Sequence, residues 1–401
     1  MTHLYDYDSL DRPSRRKRLL ELATVFLKLG TIAFGGPAAH IAMIEAEVVT
    51  RRSWMTQEKL LELFGLTNLI PGPNSTELAM QIGYDRAGWR GLLIAGFCFI
   101  LPSMSIVWML AIGYEKTQTL PQFIGLLYGV KPVIVAIVIE ALWKFGRSLL
   151  KDWVTGLVGI GAIVAYFLAW DEIGILLGFG ILVWLARQQS AAQVWLPISG
   201  LIAGHEGEPP IATIATVDVT AKIMAKASDW SHVFLIFLKI GAVLYGSGYV
   251  LLAFLQRELV DRNGWITSQQ LIDAVAIGQF TPGPVLTTAT FIGYLLAGNG
   301  GAVAGTIGIF LPSFLLVGIL NHWVMPWTRS AEFQSFLSGV MVASLGLMAG
   351  VTVTLIRASW IDLWTMGISG LAAIALVKFK VNSAVLLIVG GTIGGAIKML
   401  S

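Results

Sequence analysis

The chain has 401 residues, of which 56% are hydrophobic and only 13% are charged. Its mean hydropathy of +0.75 excludes an ordinary soluble domain and indicates a membrane protein. The formal net charge of +3 reflects a basic start and basic loops, and it gives no support to binding of nucleic acid.

The first 18 residues are polar and end in the basic run Arg15-Arg16-Lys17-Arg18, so we assign residues 1–18 to a cytoplasmic N-terminal segment. No small-residue cleavage site closes the apolar run that follows, which predicts a retained helix and not a removed signal peptide. A helix needs roughly 20 residues to cross a bilayer core of about 30 Å. The candidate runs, in chain order, are 19–44, 60–82, 91–114, 120–142, 154–169 and 173–186, a weaker one at 191–204, and then 231–255, 271–296, 301–320, 333–356, 361–377 and 381–399.

Two of these regions contain the tripeptide Pro-Gly-Pro, at Pro71-Gly72-Pro73 and at Pro282-Gly283-Pro284. Proline lacks the amide hydrogen and clashes with the preceding turn, so two prolines around a glycine break a helix. In lipid, the backbone groups that are freed must find partners in protein, water or a bound ion. Paired breaks at corresponding positions of two repeats are typical of the binding site of a transporter.

The whole chain repeats itself at an offset of 211 residues, which becomes 210 after a one-residue deletion. Matching segments include Phe26-Leu27-Lys28 with Phe237-Leu238-Lys239, and Leu101-Pro102-Ser103 with Leu311-Pro312-Ser313. We therefore predict an all-α polytopic membrane protein with two homologous multi-helix repeats, each with a helix broken at Pro-Gly-Pro. The first transmembrane repeat covers residues 19–190, a connecting span and loop cover 191–230, and the second repeat covers 231–401.

The basic residues of the loops favour two repeats of inverted orientation. With a cytoplasmic N-terminus, an inverted second repeat places its basic residues on the cytoplasmic side, where short loops are enriched in them. A parallel second repeat places the same residues outside. These residues are Arg257, Arg262, Arg329, Lys378 and Lys380. The basic residues expected outside in the first repeat are Arg51, Arg52, Lys59 and Lys116.

Lys28 and Lys239 occupy the same position in the first span of each repeat, with apolar neighbours on both sides. A charge at that depth is costly unless it is paired or hydrated, which predicts contact with a ligand or a partner. The alternative is a lysine whose ammonium reaches the interface along its methylene stem. A glycine-rich stretch follows each lysine, with Gly35 and Gly36 in the first repeat and Gly246 in the second. It would equally pack helices closely or expose backbone amides to an anion.

The polar residues after the first break, Asn74, Ser75 and Thr76, are of the types that cap a helix start, and Thr287 follows the second break. A half-helix that starts here would point amide hydrogens and the positive end of its dipole into the membrane. We therefore predict that the two breaks, these polar residues, the two lysines and the glycines bind an anionic substrate. The alternative is a structural kink without a ligand.

Further charges have both a functional and a structural explanation. Lys131 lies mid-span, where a substrate contact and a polar flank are equally good explanations, and the second repeat has Met341 at that position. The single cysteine, Cys98, excludes an intrachain disulfide and a cysteine metal cluster. The histidines have no ligand spacing between them, so we predict neither a metal nor a cofactor.

Glu47 and Glu258 precede Arg51 and Arg262 by four residues, so these pairs would either gate the path or stabilise a helix. Four charges lie at span ends and would be anchors or ion pairs between the repeats. They are Arg147 and Arg357, with Asp152 and Asp362.

The first repeat contains an ordered set of motifs. They are Phe34-Gly35-Gly36-Pro37-Ala38-Ala39-His40, Arg51-Arg52-Ser53-Trp54-Met55-Thr56, Pro71-Gly72-Pro73, Ile82-Gly83-Tyr84 and Leu101-Pro102-Ser103. In order and spacing they resemble the chromate ion transporter family, and specifically its long-chain members with two fused repeats. The resemblance covers essentially the whole chain past residue 20. The second repeat departs from the pattern at Gly246-Ser247-Gly248, which puts in doubt an equal contribution of both halves to the site.

The resemblance implies export of chromate from the cytoplasm of a prokaryote across its inner membrane, which confers chromate resistance. Chromate is a tetrahedral dianion, so its site would need amide and hydroxyl donors and one or two cations. Our hypothesis is alternating access, with the two repeats rocking around a fixed anion site. The expected partners are chromate or a sulfate-like oxyanion and the lipid bilayer, with a homo-oligomer as an open option.

The sequence leaves two alternative functions. One is an importer of sulfate or another oxyanion, which the same site would serve. The other is an anion channel or a membrane-embedded enzyme. An enzyme should show clusters of acids and nucleophiles within the membrane, and the sequence has no convincing one.

Overall fold

A computed structural model describes residues 7, 9–34, 36–117, 121–189, 229–245, 250–319, 321 and 330–400. Over these residues the protein is helical, without strands, as predicted. The helices of the first repeat are α1 (Arg12–Ile32), α2 (Gly36–Glu45), α3 (Gln57–Thr67), α4 (Asn74–Thr117), α5 (Pro121–Leu149), α6 (Trp153–Phe167) and α7 (Glu172–Gln189). Those of the second are α8 (Trp230–Val243), α9 (Leu251–Leu255), α10 (Ser268–Phe280), α11 (Thr288–Ile319), α12 (Ala331–Ser359), α13 (Leu363–Phe379) and α14 (Ser383–Leu400).

The helices of the second repeat come in the same order as those of the first. The helices α2 and α9 each continue into a π-helical segment, Ala46–Arg51 and Gln256–Arg262. The helices α6 and α13 each begin with a capping box, formed by Asp152 with Thr155 and by Asp362 with its equivalent threonine. The structure thus repeats the duplication that is visible in the sequence. The weak predicted span 191–204 lies outside the described residues.

The first predicted span of each repeat is not one continuous helix. The run 19–44 divides into α1 and α2, and the run 231–255 divides into α8 and α9. In the first repeat the reason is local, because Pro37 fits the first turn of a helix, where its missing amide hydrogen is not needed, but not the interior. The prediction of a single helix over each run is therefore wrong.

The helices α4 and α11 each consist of two arms that meet at a sharp turn. Gly88 and Gly298 take φ values of 57° and 58° there, which glycine adopts without strain. Behind the first turn the arms touch, because a Cβ on Gly91 would lie 2.0 Å from the carbonyl oxygen of Gly83. The equivalent glycines of α11 are equally close. Each helix is therefore an antiparallel hairpin, with a short arm (74–86 or 288–296) and a long arm (89–117 or 299–319).

The two long arms pack side by side in opposite directions. The Trp89 ring, at the start of the α4 long arm, lies against Gly318, near the end of the α11 long arm. Toward the other end, the Trp108 indole donates to the side-chain oxygen of Asn299 at 3.0 Å. We call the end of the molecule with the α4 turn end A, and the end with the α11 turn end B. The described segments long and apolar enough to cross a membrane are Asn74–Thr117, Gly125–Leu149, Val285–Ile319 and Ala331–Ser359.

The chain after α2 returns to end A, close to where α1 starts. The Arg86 guanidinium lies 4.0 Å from the centre of the Trp54 ring and 3.6 Å from the Glu21 carboxylate. The Arg52 guanidinium lies 5.5 Å from the same ring. Arg51 and Arg52 are therefore at end A with the basic N-terminal residues, and the prediction that placed them on the opposite side is wrong.

The equivalent residues of the second repeat contact the turn between α6 and α7. Arg262 pairs with Asp171 at 3.0 Å, and Arg257 pairs with Glu172 at 2.9 Å. Because α5 runs from end B to end A and α6 runs back, this turn lies toward end B. Arg257 and Arg262 were predicted on the side of the N-terminus, and that placement is wrong. Both errors have one cause, since a break in the first span makes the chain turn back.

Each repeat packs its long third span against the last two helices of the other. The helix α5 packs on α13 and α14, and α12 packs on α6 and α7. At the first crossing, a Cβ on Gly129 would lie 1.8 Å from the carbonyl oxygen of Gly390. At the second, a Cβ on Gly339 would lie 2.6 Å from the carbonyl oxygen of Phe179. Small residues allow such close approach of helices in a membrane, so the repeats share one core.

Candidate functional site

Each Pro-Gly-Pro break meets, in the interior, the break that follows the first helix of the opposite repeat. The amide of Gly72 donates to the carbonyl oxygen of Leu244, 2.8 Å away, and the amide of Gly283 donates to that of Ala33, 2.9 Å away. Each repeat thus supplies a hydrogen-bond donor to the broken helix of the other, as the lipid environment requires. We call this meeting point of Gly72, Gly283, Ala33 and Leu244 the central junction.

Only glycine fits at the two donor positions of the central junction. Gly72 and Gly283 have φ values of 139° and 89°, in the region that other residues rarely adopt. A Cβ on Gly72 would also lie 2.1 Å from Ser313 Oγ, and one on Gly283 would lie 2.8 Å from Ser103 Cβ. The glycine between the prolines is therefore required both by the backbone and by the serines packed against it.

Hydroxyl groups surround the central junction in a pattern that follows the repeat. Thr287 Oγ1 donates to the carbonyl oxygen of Pro284 at 2.9 Å, so its single hydrogen is used, and Ser103 Oγ donates to Thr287 Oγ1 at 2.9 Å. Ser313, the equivalent of Ser103, lies 3.2 Å from the carbonyl oxygen of Pro71 and 3.1 Å from the carboxylate of Glu77. All of these hydroxyls are buried.

A half-helix starts after each break. The short arm of α4 begins at Asn74, and the amides of Thr76 and Glu77 both donate to the carbonyl oxygen of Pro73. Ser75 Oγ lies 3.2 Å from His40 Nδ1, and Asn74 donates its side-chain amide to Asn68, so neither caps the helix. After the second break, a short turn from Val285 to Thr287 leads into α11. Both half-helix starts direct the positive end of a helix dipole toward the central junction.

Glu77 is the residue of this site that the sequence reasoning missed. Its side chain has no exposed surface, its Oε1 accepts from Ser313, and its Oε2 has no hydrogen-bond partner among the described residues. The signal was available, because Glu77 lies in the first turn after the break and corresponds to Thr287 at the offset of 210. The sequence prediction includes Asn74, Ser75 and Thr76 of this turn as substrate-binding residues but not Glu77.

The two predicted lysines lie outside the central junction, and both are ion-paired. Lys28 pairs with Glu47, and Lys239 pairs with Glu258. The same carboxylates lie 3.0 Å from Arg51 and 3.4 Å from Arg262. The lysine side chains are 43% and 42% exposed, whereas the junction is buried. Contact of the lysines with substrate stays a prediction, and the glutamates have the arginine partners that their spacing predicted.

The glycine-rich stretches lie only partly within the described residues. Gly36 is the first residue of α2, and it follows a break whose carbonyl at Ala33 also contacts His40 Nε2 at 3.0 Å. Gly35 and Gly246 lie outside the described residues. Their predicted role at the site therefore stays a prediction.

Lys131 belongs to a second polar cluster, toward end B. Asp273, on α10, accepts from the Tyr114 hydroxyl at 2.8 Å and from the Gln269 amide at 2.8 Å, and it interacts electrostatically with Lys131. The residue equivalent to Asp273 in the first repeat is Glu62, which is exposed and pairs with Lys59. The cluster thus makes the two repeats unequal, while contact of Lys131 with substrate stays a prediction.

The charges at the span ends have partners other than those predicted. Asp152 pairs with Arg187 of its own repeat at 3.1 Å, because α7 ends beside the start of α6. Asp362 accepts from the Tyr128 hydroxyl of the other repeat at 2.6 Å, and this bond lowers the pKa of Asp362. Arg147 lies 5.0 Å from the centre of the Trp143 ring. The interpretation of Asp152 as half of an ion pair between repeats is wrong, while Asp362 joins the repeats through a tyrosine.

Comparison with known proteins gives consistent matches over the whole chain. The profile of a family described as chromate transporter matches residues 20–184 and 231–396. A probable chromate transport protein of Synechococcus elongatus is 32% identical over 98% of both chains. Chromate transport proteins of Cupriavidus metallidurans and Pseudomonas aeruginosa are each 30% identical, over 94% and 93% of this chain and 93% and 91% of theirs. No solved structure matches the chain.

Proposed function

Because the chain belongs to the chromate transporter family, we propose that it exports chromate across the cytoplasmic membrane of a prokaryote and so confers resistance to chromate. The observation that carries this proposal is the central junction, where breaks from both repeats meet inside an apolar helical protein. The names of the matched relatives support chromate as the substrate. The hydroxyl groups of Ser313 and Ser103, packed against Gly72 and Gly283, support recognition of an oxyanion there.

The chemistry of the central junction suits a tetrahedral dianion. It brings together amide donors at Gly72 and Gly283, hydroxyl donors at Ser103 and Ser313, and two half-helix starts. In the closed arrangement described here these donors are bonded to protein acceptors. A movement that separates Gly72 from Leu244 would free an amide for the anion, at the positive end of a helix dipole.

Alternating access is the mechanism that we propose for this movement. The antiparallel long arms of α4 and α11 support two repeats of inverted orientation, related by a pseudo-two-fold axis in the membrane plane. Because α5 and α12 each pack on the opposite repeat, rocking would move both halves together around the central junction. The substrate would then reach the same site from end A and from end B in turn.

The distribution of basic residues supports end A as the cytoplasmic end. Short cytoplasmic segments are enriched in lysine and arginine, and end A carries more of them than end B. A cavity of about 660 Å³ at end A is lined by basic side chains and would gather anions from the cytoplasm. Its basic residues are Arg12, Arg16, Lys17 and Arg52.

The membrane potential would drive the export of chromate. Moving one elementary charge across the membrane is worth about 2.3 kcal/mol per 100 mV, so a dianion gains about 4.6 kcal/mol per 100 mV when it leaves a negative interior. Potential-driven efflux therefore needs no further cation on energetic grounds. Inward movement of protons in exchange would add to this term, whereas inward movement of another anion would subtract from it.

Everted membrane vesicles test the proposal, because export then appears as chromate uptake. We expect saturable uptake that rises with an interior-positive potential and is missing from vesicles without the protein. Unsaturable conductance would indicate a channel and would overturn alternating access. Uptake only into right-side-out vesicles would indicate an importer.

The role of the two lysines is tested in the same vesicles. Replacing Lys28 and Lys239 together by alanine should lower the initial rate of chromate uptake roughly tenfold if they contact the anion, a loss equivalent to about 1.4 kcal/mol. The matched control is Lys59→Ala, since Lys59 is paired only with the exposed Glu62 in the described structure. An unchanged rate in the double variant would refute the role of the lysines and leave the transport function intact.

A further inference from the structure

Glu77 places a carboxylate where the substrate anion is expected to bind. Its Oε1 would lie 2.2 Å from a Cβ on Gly72, which shows that the carboxylate rests against the Pro-Gly-Pro loop itself. One oxygen accepts from Ser313 at 3.1 Å, and the other has no hydrogen-bond partner among the described residues. The side chain is completely buried.

Such a position is costly for an ordinary structural residue. A buried carboxylate is usually satisfied by several donors or paired with a cation, and the group that faces Glu77 most closely is a neutral hydroxyl. The start of α4 stabilises a negative charge at Glu77, because Glu77 lies in its first turn and the positive end of the helix dipole attracts negative charge. The same element attracts a substrate anion, so the carboxylate and the substrate compete for one site.

The second repeat shows that the fold does not need a charge at this position. Thr287 is the equivalent of Glu77, is equally buried, and bonds to Ser103 and to the carbonyl oxygen of Pro284. A short neutral side chain therefore completes the junction on one side, while the other side holds an acid with an unused oxygen. This difference points to a role beyond packing.

Resting on the function proposed above, we propose that Glu77 mimics the substrate. The Glu77 carboxylate occupies the oxyanion site in the closed conformation. The oxyanion enters when Glu77 takes up a proton, because a dianion and a carboxylate would otherwise repel each other at short range in a poorly solvated site. Binding of the oxyanion and of a proton at Glu77 are therefore positively coupled. By reciprocity, bound chromate raises the affinity of Glu77 for its proton.

The other titratable groups near Glu77 are few in the described part of the chain. Tyr245, which follows α8, is close enough to interact electrostatically, and His40, on α2, faces the site through Ser75. The long arm of α11 contributes the neutral Ser313, and the Pro-Gly-Pro loop contributes only backbone. Glu77 is thus the acidic group among these neighbours, and the coupled proton is assigned to it.

Calorimetric titration of the purified full-length protein with chromate at two pH values tests this inference. The variant Glu77→Gln keeps the shape of the side chain and removes the charge. We expect it to bind chromate about as tightly as the wild type at about pH 6 and at least tenfold more tightly at about pH 8, because the wild type must first be protonated. Both proteins meet the same mixture of chromate species, so the ratio of their affinities isolates Glu77.

Two controls separate the possible outcomes. Glu62→Gln removes an exposed carboxylate on α3 and should follow the wild type at both pH values. The second variant, Glu77→Thr, copies the residue of the other repeat and should behave like Glu77→Gln. The inference would be overturned if the ratio of the affinities of Glu77→Gln and the wild type were the same at both pH values, or if both Glu77 variants bound chromate more weakly than the wild type. Chromate binding by the wild type would still support the proposed function in either case.

A measurement on the unaltered protein covers the case in which both variants fail to fold. At about pH 8, binding of chromate by the wild type should take up about one proton per anion from a weakly buffered solution, after correction for free chromate. Binding without proton uptake would refute the inference. A wild type that binds no chromate would refute the proposed function, and the inference with it.

Discussion

Two glycines determine whether the central junction can form. Gly72 and Gly283 each combine a positive φ with a neighbouring serine at a distance that leaves no room for a methyl group. Their amides close the broken helices of the opposite repeat, so a change in their backbone would leave buried polar groups without partners. The geometry of the site thus depends on residues that carry no side-chain chemistry.

We expect Gly72→Ala to lower the free energy of unfolding by about 2–4 kcal/mol, since it combines backbone strain with a clash against Ser313. The measurement is the midpoint of thermal unfolding in detergent. The control is Gly65→Ala on α3, where an added Cβ would have nothing within 4 Å and should be neutral or slightly stabilising. Equal midpoints for the two variants would show that the junction is looser than described.

At the scale of elements, the most specific feature is the tight hairpin of α4 and α11. Its arms approach so closely that the carbonyl oxygen of Gly83 would contact any Cβ on Gly91. The hairpin brings the start of each half-helix back beside its own long arm. The packing of the two arms therefore fixes the position of the half-helix start relative to the long arm. The element that positions the site is therefore also tightly packed.

We expect Gly91→Leu to force the arms of α4 apart and to lower the free energy of unfolding by about 3 kcal/mol or more, with loss of transport. Gly113→Leu, on the same long arm, is the matched control, because an added Cβ there meets nothing within 4 Å. Thermal unfolding and vesicle uptake are compared for both. Full activity of Gly91→Leu would contradict the hairpin.

Sequence patterns predicted some elements well because the signal is local. The long spans 91–114 and 333–356 follow from hydropathy, and the Pro-Gly-Pro breaks follow from the missing amide hydrogens of proline. The pairing of Lys28 with Glu47 could not be predicted, since it depends on the chain turning back after α1. The bonds from Gly72 to Leu244 and from Gly283 to Ala33 also depend on packing between the repeats, which no local pattern contains.

At the scale of the whole molecule, the two repeats are joined by exchanged contacts and are unequal in charge. The exchange appears in α5 and α12, each packed on the other repeat, and in the Tyr128 bond to Asp362. The inequality appears in Glu77 against Thr287 and in Asp273 against Glu62. A symmetric scaffold thus carries an asymmetric set of titratable groups.

The topology gives a direct prediction for chemical labelling. In a Cys98→Ala background, a cysteine at Arg51, whose side chain is 66% exposed, should react with an impermeant reagent only from the cytoplasmic side. A cysteine at Lys116, which is exposed at end B, should react only from the outside. Labelling of intact cells and of everted vesicles, read by mass spectrometry, distinguishes the sides. Reaction of both cysteines from one side would contradict the placement of end A and end B.

The hydrogen bonds from Gly72 to Leu244 and from Gly283 to Ala33 cross between the repeats in opposite directions. Each bond has its donor in one repeat and its acceptor in the other, so a displacement of one repeat relative to the other strains both bonds at the same moment. We therefore expect the two bonds to break and re-form together, as one cooperative change between two arrangements of the repeats.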